Sequence, residues 1–344
     1  MMKSIIAILF SFLLCGYVTA DELPWPNVSV VDLGADGWDL DFDPIRRMAY
    51  VSIPTLNEIA YVSTETGSIV DRHFVGSRPL GIDYAPHSDR VFVALNQAAA
   101  IAEVNPDTRN VQEIVVGGNP GTDNSLIYDV VEARANQVFV SANPGSGGFA
   151  RIAKVDLANG NTVSTVANNQ IIRARPTFQE TVQGDVLYVG AGFSPNSLYK
   201  LDISQPNAPI VLEDDHGSVS GTQFMDVSPD GDRYYLSSGQ VLRTESFLQA
   251  GSIGAGIPRL SADGSRAFVH SGGQLKLYDT TTFLQLTSFD LPADFSSIEQ
   301  FHLLPNDAGL LMLSDNMLLI AVPEPSPLPL SVFAVALLGL VRRR

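Results

Sequence analysis

Two groups of residues in this chain could do chemistry. The first is Arg78, Asp123, Arg175, Arg259 and Glu299, each just ahead of an apolar run or near its start. A guanidinium is a planar fork that grips carboxylate or phosphate through paired hydrogen bonds, so three converging arginines would trap an anion. The alternative is structural: the same arginines paired with Asp39, Asp123 and Glu299 as a ring of ions, since buried arginine is usually paired. The second group is Asp39, Asp41 and Asp43. Alternate residues of a strand share one side, so three carboxylates there repel unless a cation or arginine intervenes. Calcium is the candidate metal. Otherwise Asp43-Pro44 is a turn and only one or two of the aspartates face inward.

Other chemistries find little footing. The histidines His73, His87, His216, His270 and His302 are scattered without metal-type spacing. No phosphate loop, paired-histidine zinc motif or nucleophile elbow is present. Gly145-Ser146-Gly147-Gly148 loosely matches a dinucleotide fingerprint, but Arg151–Asp156 next to it reads as a strand, so no helix N-terminus is there to hold a pyrophosphate. No catalytic residue, organic cofactor or small-molecule ligand is identified.

The elements that carry these residues recur. Phe224–Ser238 reads as strand, tight turn, strand, with Asp230-Gly231 at the turn, because glycine accepts positive φ without steric cost. Weaker copies turn at Pro44, Pro86, Ala133, Val182, Ala262 and Pro305, spaced mostly 42 to 49 residues apart, with one interval of 33. Charged residues are only 17% of the chain, and no convincing amphipathic helix interrupts the pattern from Val28 to Ala321. Repeats of that length, four strands each, predict an all-β, seven-bladed β-propeller over residues 21–322. The last unit has three strands, and Val28–Leu33 is a spare one, so the N-terminal strand is expected to close the ring. Loops entering the inner strands then gather the first group of candidates at one mouth of the channel.

Ala49-Tyr50-Val51-Ser52, Arg90-Val91-Phe92-Val93-Ala94, Val138-Phe139-Val140-Ser141 and Leu187-Tyr188-Val189-Gly190 resemble YVTN repeats of lactonase-like seven-bladed propellers. The superfamily hosts both enzymes and binding modules, so the resemblance implies fold more than activity. A lactonase-like hydrolase or lyase would need acidic and amide groups converging at the channel mouth, with Asp39, Asp123, Glu299 and one of Asn96, Asn143 or Asn196 as contributors. A noncatalytic module binding glycan or protein is the other expectation, and the missing catalytic motif favours it.

The two ends read as addresses. Residues 1–20 form a secretory signal peptide: Lys3, an apolar run too short to span a membrane, then Val18-Thr19-Ala20 for signal peptidase. The only cysteine, Cys15, lies inside it, so the mature domain has neither disulfide nor thiol nucleophile. Residues 323–344 run Pro323-Glu324-Pro325, an apolar stretch, then Arg342-Arg343-Arg344. This tail resembles the PEP-CTERM sorting signal, with its short hydrophobic helix. The resemblance implies processing by an exosortase in a Gram-negative bacterium, transient insertion in the inner membrane, and delivery to the cell surface or extracellular matrix. Polysaccharide or an envelope protein would be the partner there. Residues 21–322 carry 17 Lys and Arg against 36 Asp and Glu, a net charge of −19. Such a surface repels nucleic acid and anionic lipid.

Overall fold

The computed structural model describes residues 23–117, 126–143, 149–167, 172–173, 176–181, 184–190, 196–215 and 219–323. The expected signal peptide, the tail beyond Pro323, Asp123 and Arg175 lie outside them.

Among the described residues the strands form seven antiparallel sheets, one per blade of a β-propeller. The innermost strands, in order, are Leu40–Asp43, Pro79–Ala85, Leu126–Arg134, Thr177–Glu180, Met225–Val227, Ile257–Leu260 and Gln300–Leu303. The expected closure is present. Asn27–Asp32 pairs antiparallel with Met317–Val322 and completes blade 7, so the first and last strands of the ring share one sheet. The Asn27 side-chain amide also donates to the Pro323 carbonyl at 3.0 Å. The short fifth blade keeps its fourth strand, Gln249–Ser252.

Position within a blade decides the composition of each strand. The middle strands Met48–Ile53 and Glu58–Ser63 are sandwiched between neighbouring blades and are buried along nearly their whole length. They therefore read as continuous apolar runs rather than alternating ones. The outer strand Ser68–Phe74 faces solvent and is only partly buried. Seven apolar clusters fill the seven seams between blades. Between blades 1 and 2, for example, Tyr50 and Tyr61 pack with Ile82, Tyr84 and Val93. Each such side chain contributes about 1.5–3 kcal/mol on burial, so the seams hold the ring without disulfides.

The turns between first and second strands share one design in blades 5 and 6. In Ser228-Pro229-Asp230-Gly231 the Gly231 N–H donates to the Ser228 carbonyl at 2.7 Å, with Gly231 at φ 78°. Ser261-Ala262-Asp263-Gly264 repeats it, with a 2.8 Å bond and φ 70° at Gly264. Positive φ is why glycine stands at both positions.

Candidate functional site

The inner strands surround a central cavity of about 610 Å³. Register places one residue of each inner strand at a common level. Asp41, Asp83, Val131, Gln179, Asp226, Arg259 and His302 lie opposite Tyr50, Phe92, Phe139, Tyr188, Tyr235, Phe268 and Leu311 of the second strands. Seven equivalent positions thus carry unlike chemistries. Two residues nearer the mouth stand Asp39, Asp129 and Gln300.

These polar groups stitch the blades together. One oxygen of an aspartate accepts from the next blade: Ile82 N–H on Asp39 at 3.1 Å, Tyr84 on Asp41 at 2.6 Å, Glu132 on Asp83 at 2.8 Å. Phe178 N–H donates to Asp129 at 2.9 Å and Leu260 to Asp226 at 2.7 Å. The other oxygen of Asp39, Asp41, Asp129 and Asp226 accepts from the adjacent residue in the chain, at 2.8 to 2.9 Å. Thr177 Oγ1 donates to the Gln223 carbonyl across the seam between blades 4 and 5 at 3.1 Å. Arg259 donates to Gln300 Oε1 at 2.8 Å, and Gln300 Nε2 donates to Asp39 at 3.1 Å, which closes the circle.

Burial makes the carboxylates reluctant to ionise. It raises Asp39 to about 6 against several hydrogen bonds that favour the anion. Asp83 is pushed to about 7 by burial and by Glu132 and Asp39. Asp129 reaches about 8 through burial and the charges of Asp39 and Asp83, and Glu180 about 8 through burial, Asp83 and Glu132. Asp41 is raised well above the usual carboxylate range by burial and Asp83, and Asp226 is raised by burial. Burial and the Arg259 charge push His302 down to about 3, so its imidazole is neutral, 3.6 Å from the Asp41 carboxylate.

The mouth differs from the wall. Trp38, Tyr128 and Phe224 line it beside Pro176, Gln223 and Glu299, at the N-terminal ends of their strands. The three rings are half-buried, while Gln223 and Glu299 are exposed. Flat apolar rings flanked by amide and carboxylate groups suit a ligand that has both C–H faces and hydroxyls. The cavity volume falls within the usual range for ligand sites.

The expected site residues disperse. Arg259 and Glu299 line the cavity, but Arg78 is exposed outside it, its backbone N–H held by Asn57 Oδ1 at 2.8 Å. Arg259 is held by Gln300 and by the Met225 and Pro258 carbonyls, so among the described residues no arginine trap forms. The three alternating aspartates are not brought together either. Asp39 and Asp41 face the channel, whereas Asp43 is fully buried at the far turn. There Arg46 donates to it at 2.8 Å and Tyr50 Oη at 2.9 Å. Among the described residues no cluster of His, Asp or Glu is suited to hold a metal. The Asn96 side chain is buried and donates to the Ile127 carbonyl at 2.9 Å, joining blades 2 and 3. Asn196 is half-buried and does not line the cavity. Asp83, Asp129, Glu180, Asp226, Gln300 and the mouth aromatics were not singled out by sequence. The available signal was a lone aspartate between apolar neighbours in the first strand of a repeat, as in Ile82-Asp83-Tyr84 and Met225-Asp226-Val227.

No family model matches the chain, and no curated protein does. Among solved structures it is similar to a chain of Kuenenia stuttgartiensis hydrazine synthase, with TM-score 0.64 and 12% identity over 90% of this chain and 99% of that one. At that identity the likeness carries the fold alone. In all, 1283 chains of solved structures match, so the architecture does not select a chemistry.

Proposed function

We propose that this chain is an exported, noncatalytic propeller that binds glycan at the channel mouth. One observation carries the reading: aromatic rings and exposed polar groups meet at the mouth, while the deeper aspartates are spent on backbone N–H donors. Sugar rings stack on Trp38, Tyr128 or Phe224, and hydroxyls pair with Gln223 and Glu299. A surface polysaccharide is the natural ligand for a protein with this tail. In this reading signal peptidase removes residues 1–20. An exosortase then processes the chain near Pro323-Glu324-Pro325 and leaves the propeller at the cell surface or in the matrix.

The Asp41–His302 pair supports a second reading, a lactonase-like hydrolase or lyase with imidazole as general base. A base held near 3 is a weak one at neutral pH, which favours the binding reading. A glycan array, with calorimetry on the hits, separates the two. Saturable binding that Trp38→Ala weakens roughly tenfold, with no turnover of lactones, is the expected outcome. Lactone turnover abolished by His302→Ala, with no glycan bound, would reverse the assignment.

A further inference from the structure

The channel wall gathers acids whose charge its backbone hydrogen bonds do not cancel. Asp39, Asp41, Asp83, Asp129 and Glu180 line one cavity, with Glu299 at its mouth. Among the described residues lining it, Arg259 is the one cation, and it is already shared between Gln300 and two carbonyls. Asp41, Asp83 and Asp129 each hold the backbone of the next blade, so three consecutive seams are closed by groups that repel one another when all are charged. Glu180 adds charge on the fourth inner strand, against Asp83 and Glu132.

We propose that the channel is a proton-set clasp: its acids share protons when the ring is closed, and blades 1 to 4 loosen as rising pH removes them. Asp83 feels the charges of Asp39 and Glu132, Asp41 feels that of Asp83, and Asp129 feels those of Asp39 and Asp83. Glu132 lies near His87. Across the channel Asp226 is balanced by Arg259 and His302 stays neutral, while Glu299 at the mouth is raised by burial and by Asp315 and Asp36, none of them in the blade 1 to 4 group. A carboxyl raised above its unfolded value contributes stability that is complete below the unfolded range. That contribution is lost as pH climbs through the folded values of about 7 for Asp83 and about 8 for Asp129 and Glu180. Trp38 and Tyr128 directly precede Asp39 and Asp129, so the same loosening reaches the mouth.

The test is thermal unfolding of the full chain from pH 5 to pH 9, with Asp83→Asn, Asp129→Asn and Glu180→Gln. The expected result is a fall in Tm of roughly 5–10 °C across that range, with a flatter slope in each variant. A merely structural role would shift all Tm values together and leave the slope alone. Carboxyl titration of the wild-type protein by carbon-13 NMR gives a second readout should the variants not fold. Aspartates that titrate near neutral pH are expected there. A Tm that is flat or rises from pH 5 to pH 9, unchanged slopes in the variants, or channel carboxyls titrating only near 4 would each overturn the proposal.

Discussion

Asp41 and Asp43 are two residues apart on one strand and live in opposite electrostatic surroundings. Asp41 faces the channel, where its partners are backbone N–H groups and its neighbours are other acids. Asp43 faces the far turn, where Arg46 bonds Asp43, Asp89 and Asp107 at 2.6 to 2.9 Å. Tyr84 Oη also donates to Asp89, at 3.1 Å. In the channel, burial and like charge raise the carboxyls. At the turn, the Arg46 hydrogen bonds hold Asp89 and Asp107 below the usual range. Both clusters join blades 1 and 2, but one is strengthened by ionisation and the other is strained by it. The count of acidic residues therefore says little; the partner decides.

Removing the guanidinium gives the largest expected effect. Arg46→Met strands a carboxylate at Asp43, which is fully buried. Breaking such a pair costs about 3–5 kcal/mol, readable as a lower urea midpoint with an unchanged slope. A loss below about 1 kcal/mol would mean that Tyr50 and the Ile45 and Arg46 N–H groups satisfy Asp43 without the guanidinium.

The channel side should break more gently. Asp226→Ala removes the acceptor for Val227 and Leu260 N–H and leaves Arg259 without the carboxylate that acts on it most strongly. Roughly 1–3 kcal/mol is expected, by the same unfolding measurement.

A pH series sharpens the contrast from the acid side. Asp71, Asp89 and Asp107 are depressed, chiefly by hydrogen bonds from Arg109 to Asp71 and from Arg46 to the other two. A depressed carboxyl contributes stability that is present above its unfolded value and lost as pH falls through the folded one. Tm should therefore drop between about pH 4 and pH 2, and Arg46→Met should lessen that drop. An acid limb that the variant leaves unchanged would remove the Arg46 cluster as its cause.

Arg78→Ala should do least. The side chain is exposed and outside the cavity, so stability should change by no more than about 0.5 kcal/mol and glycan affinity should not move. A large loss of affinity would bring Arg78 back to the site.

The architecture was legible in the sequence because it rests on local rules that repeat. Asp230-Gly231 and Asp263-Gly264 mark turns, Ala49–Ser52 and its copies mark buried strands, and a spare strand at Val28–Leu33 implied closure. The channel was less legible. Arg78 sits one residue before its strand, at φ 54°, and spacing alone does not say which way a side chain there points. The alternation of Asp39, Asp41 and Asp43 suggested a shared face, but Asp43 accepts the Ile45 and Arg46 N–H groups at the turn, at 2.8 and 3.0 Å, and leaves the channel. Trp38, Tyr128 and Phe224 come from three distant repeats, and only closure of the ring brings them to one mouth.

The most direct test is calorimetric titration of surface-polysaccharide fragments into the purified chain, wild type beside Trp38→Ala and Phe224→Ala. Saturable binding, weakened roughly tenfold or more in the variants while each still unfolds in one cooperative step, is the result predicted. Equal affinity in the wild type and both variants would contradict a glycan site at the channel mouth.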